Sequence, residues 1–191
     1  MPVANNISSI RDLPKWEQDL LRSGMRSPRL RQVSSGTKIY RFADLSNTSI
    51  EAVKRADPEA GGWWFGQKAF NKIMADCVQH DTVQGGLGWS ARRAMAVLYE
   101  WSDCDVLVEG YLKKSVRMFQ GRGHKQRESC PIGTIVFEGW DDVDQWYIPS
   151  ISQREQVDRK RTHTRLNSFG ESVISVYRVC SVKSYQWYKK K

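Results

Sequence analysis

The sequence predicts an α+β protein, one domain in which N-terminal helices flank a split, mostly antiparallel β-sheet. Three observations carry this. Apolar residues recur at helical spacing in several segments before residue 100. From Cys104 onward the pattern changes to period-2 runs rich in β-branched and aromatic residues. The resulting order is helix, strand, helices, then several strands, which is not the alternation of a doubly wound α/β sheet. At 191 residues and 40% hydrophobic, with charges interspersed, the chain is long enough for one real core and is neither disordered nor fibrous.

The first element is a helix near Asp12 to Ser23. Asp12 is placed to cap it, Pro14 lies in its first turn, and Leu13, Trp16, Leu20 and Leu21 share a face. Gly24 supplies the stop. RSPRLRQVSSG is basic, polar and interrupted by Pro28, and reads as a linker. TKIYRF reads as a strand with Ile39 and Arg41 on one face and Tyr40 and Phe42 on the other. Thr48 and Glu51 form a capping-box pattern for a short helix that Pro58 ends. GGWWFG reads as a turn, followed by a helix with Phe70, Ile73, Met74, Cys77 and Val78 on one face. After the turn QGGLG, Ser90 caps a further helix whose face carries Ala91, Ala94, Met95, Leu98 and Trp101. CDVLVEGYL, GTIVFEG, QWYIPSI and ESVISVYRVCSV then read as strands. Neither an internal repeat nor a low-complexity segment interrupts this series.

Thirty basic against 21 acidic residues give a net charge of +9, which attracts polyanions without specifying a fold. No apolar run reaches the roughly 18 residues that would span a membrane. The N-terminal residues do not follow a secretory pattern, and Cys77, Cys104, Cys130 and Cys180 lack CxxC spacing. Together these predict a chain with reduced cysteines in the cytoplasm, or one delivered into a target cell by a secretion system. His80, His124 and His163 lack metal-ligand spacing, so no metal is predicted. Phosphate-loop, GxGxxG, GxSxG, HExxH and zinc-deaminase signatures are missing. GRGHK, at residues 121–125, reads as a surface turn.

What remains is an ordered series: an arginine within IYRF, a Gly-Gly-Trp-Trp-Phe-Gly element feeding a helix, a strand with a basic loop, and the acidic turn FEGWDDVDQWYIP. Over roughly residues 38–151 this series resembles the ADP-ribosyltransferase superfamily, which includes NAD-hydrolysing bacterial toxins. The resemblance implies a catalytic domain over residues 37–191, preceded by a helix and basic linker over residues 1–36. It implies that Arg41 holds the nucleotide, that Trp63, Trp64 and Phe65 flank the nicotinamide, and that Gln145 contacts the nicotinamide-bearing ribose, with Glu138 as reserve carboxylate. NAD is then the substrate, water or a protein or nucleic-acid acceptor takes the ADP-ribose, and an immunity or inhibitor protein is an implied partner. The sequence departs from the superfamily in having no Ser-Thr-Ser triplet and no Glu-x-Glu or Gln-x-Glu pair. A glutamine at this position points to NAD glycohydrolase variants.

The chemistry suits these residue types. Cleaving the nicotinamide–ribose bond passes through an oxocarbenium-like centre. Arginine binds a pyrophosphate with a planar fork, tryptophan faces stack a cationic ring, and a carboxamide or carboxylate orients ribose hydroxyls. Each residue also has a plainer reading. Arg41 and Glu109 would be solvated strand positions, the tryptophans core plugs, Gln145 an exposed strand start, and Asp141, Asp142 and Asp144 a solvated turn. The second functional reading is a basic nucleic-acid-binding module, drawing on SQREQVDRKRTHTR and the terminal lysines. The third is a ribonuclease-type toxin using His124 or His163 as base.

Overall fold

The computed structural model describes residues 5–44, 62–80, 86–98, 101–149 and 173–185. The helix expected after Thr48, the basic stretch around His163 and the terminal lysines lie outside the described residues. Among the described residues the helical patterns form α1 (Lys15–Gly24), α2 (Gln67–His80) and α3 (Gly86–Met95). The strands are β1 (Met25–Val33), β2 (Lys38–Ala43), β3 (Trp63–Gly66), β4 (Val106–Leu112), β5 (Val116–Gly123), β6 (Gln126–Cys130), β7 (Gly133–Phe137), β8 (Asp144–Tyr147) and β9 (Ile174–Ser181). The architecture is α+β, as expected.

Seven strands form one sheet in the order β1-β5-β8-β3-β2-β4-β9, with every neighbouring pair antiparallel, and β6 and β7 form a separate hairpin. The sheet splits along β3. Trp63 and Trp64 pair with Tyr147 and Trp146 of β8, whereas Phe65 and Gly66 pair with Tyr40 and Ile39 of β2. Four residues thus hand the sheet from one half to the other.

Side chains alternate across the strands, so the sheet has two buried faces. On one face Tyr40, Phe42, Phe65 and Leu107 meet Phe70, Ile73, Met74 and Cys77 of α2 and Leu87, Ala91 and Ala94 of α3. On the same face Phe119 and Tyr147 meet Leu13, Leu21 and Met25 around α1. The opposite face gathers Ile39, Trp64, Val106, Val108, Leu112, Met118 and Ile148. Buried Glu17 anchors α1 to the sheet, accepting a 2.7 Å hydrogen bond from the Tyr147 hydroxyl.

Several expectations are corrected. Residues 26–33, expected as linker, form most of edge strand β1, with Pro28 falling in a bulge between Arg26 and Arg29 where an interrupted ladder tolerates it. WWFG is a strand rather than a turn. Asp12 caps the 3-10 turn Ile10–Asp12 through a box with Ser9, while Pro14 precedes α1. Trp16 and Leu20 are exposed, leaving Leu13 and Leu21 to bury that edge. Ser90 is not a cap: α3 begins at Gly86, and the Ser90 hydroxyl donates to Asp76 at 2.7 Å, tying α3 to α2. Trp101 lies beyond α3 and is exposed, and Val78 of α2 is exposed too. Gly88 lets α3 meet the chain before β4, since a Cβ there would lie 2.9 Å from the Cys104 carbonyl oxygen.

Candidate functional site

The three strands that carry the sequence-predicted residues are consecutive in the sheet, in the order β8-β3-β2. Arg41 and Gln145 flank β3, so their backbones lie two strand spacings apart, about 10 Å. Alternation divides their side chains. Arg41 shares a face with Trp64, which is fully buried among Ile39, Val108 and Ile148. Gln145, Trp63 and Phe65 take the other face. Trp63 stands edge-on to Tyr147 at 5.0 Å, and Phe65 stacks between Tyr40 and Phe42. The tryptophan run therefore serves both cores.

Gln145 is not an exposed strand start. It is buried, and its Nε2 donates to the Met95 carbonyl oxygen at 2.6 Å. Glu138 stands apart at the foot of the β6–β7 hairpin, exposed and paired with Lys125 at 2.5 Å. The structure therefore brings Arg41, Trp64 and Gln145 onto neighbouring strands and leaves Glu138 on the surface.

The register shows a carboxylate that the sequence reading assigned to a solvated position. Tyr40 of β2 pairs with Phe65 on one side and Glu109 of β4 on the other, and Glu109 pairs with Arg178 of β9. Glu109 is buried because β4 is a central strand covered on both faces, which its VLVEGYL context signals through the apolar residues on either side. Its Oε1 lies 3.6 Å from Arg178 Nη1. The same carboxylate acts on the Tyr177 and Tyr185 hydroxyls. Burial and then the Glu109 charge push the Tyr177 hydroxyl up to about 12 and raise Tyr185 above the ordinary tyrosine range. Arg178 lies over the Tyr185 ring at 4.6 Å, and the Tyr40 hydroxyl donates to Gln67 while its ring stacks on Phe70 at 4.2 Å.

Two further charged groupings lie outside this row. Asp44, Asp103 and Asp105 hold carboxylate oxygens within 4.8 Å of one another where β2 ends and β4 begins. Burial, then the Asp44 hydrogen bond and the Asp105 charge, raise Asp103 to about 6. On the face opposite Gln145, arginines of β1 and β5 line a groove of about 450 Å³.

No family model matches the chain, and no curated protein matches it. Among solved structures it is similar to Rhs1-CT in complex with cognate immunity protein RhsI1. That likeness has 14% sequence identity and a TM-score of 0.38, and covers 71% of this chain and 81% of that one. No helix among the described residues is long and apolar enough to cross a membrane.

Chemically, one face of the split carries the Gln145 carboxamide, the Trp63 and Phe65 rings and the buried Glu109 carboxylate, while the Arg41 guanidinium stands on the opposite face beside Trp64. The first set can stack a planar ring and face a developing positive centre, and the guanidinium can hold an anion.

Proposed function

We propose that this chain is an NAD-consuming effector enzyme that breaks the nicotinamide–ribose bond, with water or a macromolecule as acceptor, where the sheet splits along β3. The observation that supports it most is the adjacency of β8, β3 and β2. Gln145, the Trp63–Phe65 run and Arg41 come from distant parts of the chain, yet their strands are immediate neighbours.

In this reading Arg41 clamps the pyrophosphate, and the aromatic run walls the nicotinamide. Gln145 orients the ribose at the reacting carbon after exchanging the Met95 carbonyl for a ribose hydroxyl. Glu109, in the row of Phe65 and Tyr40, is better placed than Glu138 to stabilise the cationic centre. A cell making such an enzyme must protect its own NAD, so an immunity protein is the expected partner.

Free nicotinamide released from NAD tests the proposal, comparing wild type with Gln145→Ala, each confirmed folded. Turnover by wild type and a loss on the order of 10²–10³ in the variant support it. A folded wild type that releases no nicotinamide and modifies no protein or nucleic acid rejects it.

A further inference from the structure

We propose that the groove between β1 and β5 binds the phosphodiester backbone of a single-stranded nucleic acid. The site is separate from the NAD reading and does not depend on it. Its lining includes Arg26, Arg29, Arg31, Gln120, Arg122 and Asp144. The register places them together: Arg26 pairs with Arg122, Arg29 with Gln120, and Arg122 with Asp144.

The charge is unbalanced. Asp141 is shared by Arg26 at 3.3 Å and Arg122 at 3.1 Å, so one exposed carboxylate faces two guanidiniums. Asp144 accepts from Gln120 Nε2 at 2.6 Å. Arg29 and Arg31 are exposed, and among the described residues neither has a side-chain ion pair. Four cations therefore face two carboxylates, leaving the groove positive within an already basic chain. Every cation in the lining is an arginine, whose planar fork matches phosphate oxygens bidentately. Arg29 and Arg31 sit two residues apart on an edge strand, so their Cα atoms lie ~7 Å apart along an extended line. Two arginines at that spacing suit successive phosphates of a polymer better than one anion.

Geometry also separates the groove from Arg41. From Arg29 the ladder runs through Gln120, Trp146 and Trp64 before reaching the strand of Arg41. Four strand spacings make about 19 Å, too far for one pyrophosphate to bridge. The groove's volume is that of a small-ligand cleft, which admits one strand rather than a duplex.

The test is fluorescence anisotropy of a labelled single-stranded RNA and its DNA counterpart from about 50 to about 200 mM salt. It compares wild type with R29Q–R31Q, R29K–R31K and a charge-matched control, K68Q–K183Q, each checked by thermal unfolding. Losing two phosphate contacts should weaken binding at least about tenfold and flatten the log–log salt slope by about 1.4. The lysine pair should keep most of the slope but bind more weakly, and the control should behave as wild type. The inference is overturned by a wild type that does not bind, by R29Q–R31Q binding as wild type does, or by loss of binding in the control equal to that in R29Q–R31Q. It is also overturned if polyglutamate of equal charge competes as well as unlabelled RNA, which would mark the groove as a site for acidic protein.

Discussion

Gln145 and Met95 join the two halves of the molecule: the buried carboxamide at the start of β8 donates at 2.6 Å to the last carbonyl of α3. Truncating Gln145 leaves that carbonyl without its partner in a buried place. Gln145→Ala should therefore cost about 1–3 kcal/mol, read as a lower urea midpoint with an unchanged m-value. A variant as stable as wild type would show that the bond carries no net stability and that the carboxamide is free to serve another partner.

The same junction admits no extra carbon. A Cβ on Gly123 would stand 2.5 Å from the Met95 oxygen and 2.8 Å from Gln145 Nε2. Gly123→Ala should destabilise by about 1–3 kcal/mol through overpacking. Because both changes break one contact, the double variant Gly123→Ala/Gln145→Ala should lose less than the sum of the singles. Strict additivity would contradict the shared contact.

Asp103 gives the fold a pH dependence of defined sign. Its folded pKa, raised to about 6, lies above the ordinary 3.8, so the folded chain holds this proton more tightly than the unfolded chain. The contribution favours folding in acid and is lost as pH rises through this window. Asp103→Asn should gain thermal stability over wild type as pH goes from about 4 to about 7. A difference independent of pH would argue against a shared proton in the Asp44–Asp103–Asp105 group.

Glu109 holds up the titration of its tyrosine neighbours. Removing its charge in Glu109→Gln takes away the second cause of the Tyr177 and Tyr185 shifts and leaves burial, the larger one. Tyrosinate absorbance should then rise at lower pH than in wild type. Superimposable titration curves would separate Glu109 from both hydroxyls.

Much of the fold was legible where one residue pattern met one environment. TKIYRF and VLVEGYL read as strands because their apolar residues face real cores, and Phe70, Ile73, Met74 and Cys77 read as one helix face for the same reason. β1 was not legible: MRSPRLRQV contains a proline and three arginines, and its pairing to β5 is set by residues nearly a hundred positions away. Glu109 and Gln145 misled for a related reason. A polar residue in a strand reads as solvated, but β4 and β8 lie inside the sheet order, where a polar side chain must find a partner. The arginine groove was hidden because three of its four arginines, Arg26, Arg29 and Arg31, fall in the stretch read as linker. The strand bearing Arg41 was legible from TKIYRF. The side-by-side placement of β2, β3 and β8 needed the whole topology.

Nicotinamide release from NAD by wild type, Arg41→Lys and Arg41→Ala, at matched folded fraction, tests the central claim most directly. If Arg41 clamps the pyrophosphate with its planar fork, wild type turns over NAD, the lysine variant is impaired, and the alanine variant falls on the order of 10²–10³ in kcat/KM. A wild type that releases nicotinamide at a rate unchanged by either substitution would contradict a site at the split beside β3, and a folded wild type that releases none would contradict NAD cleavage itself.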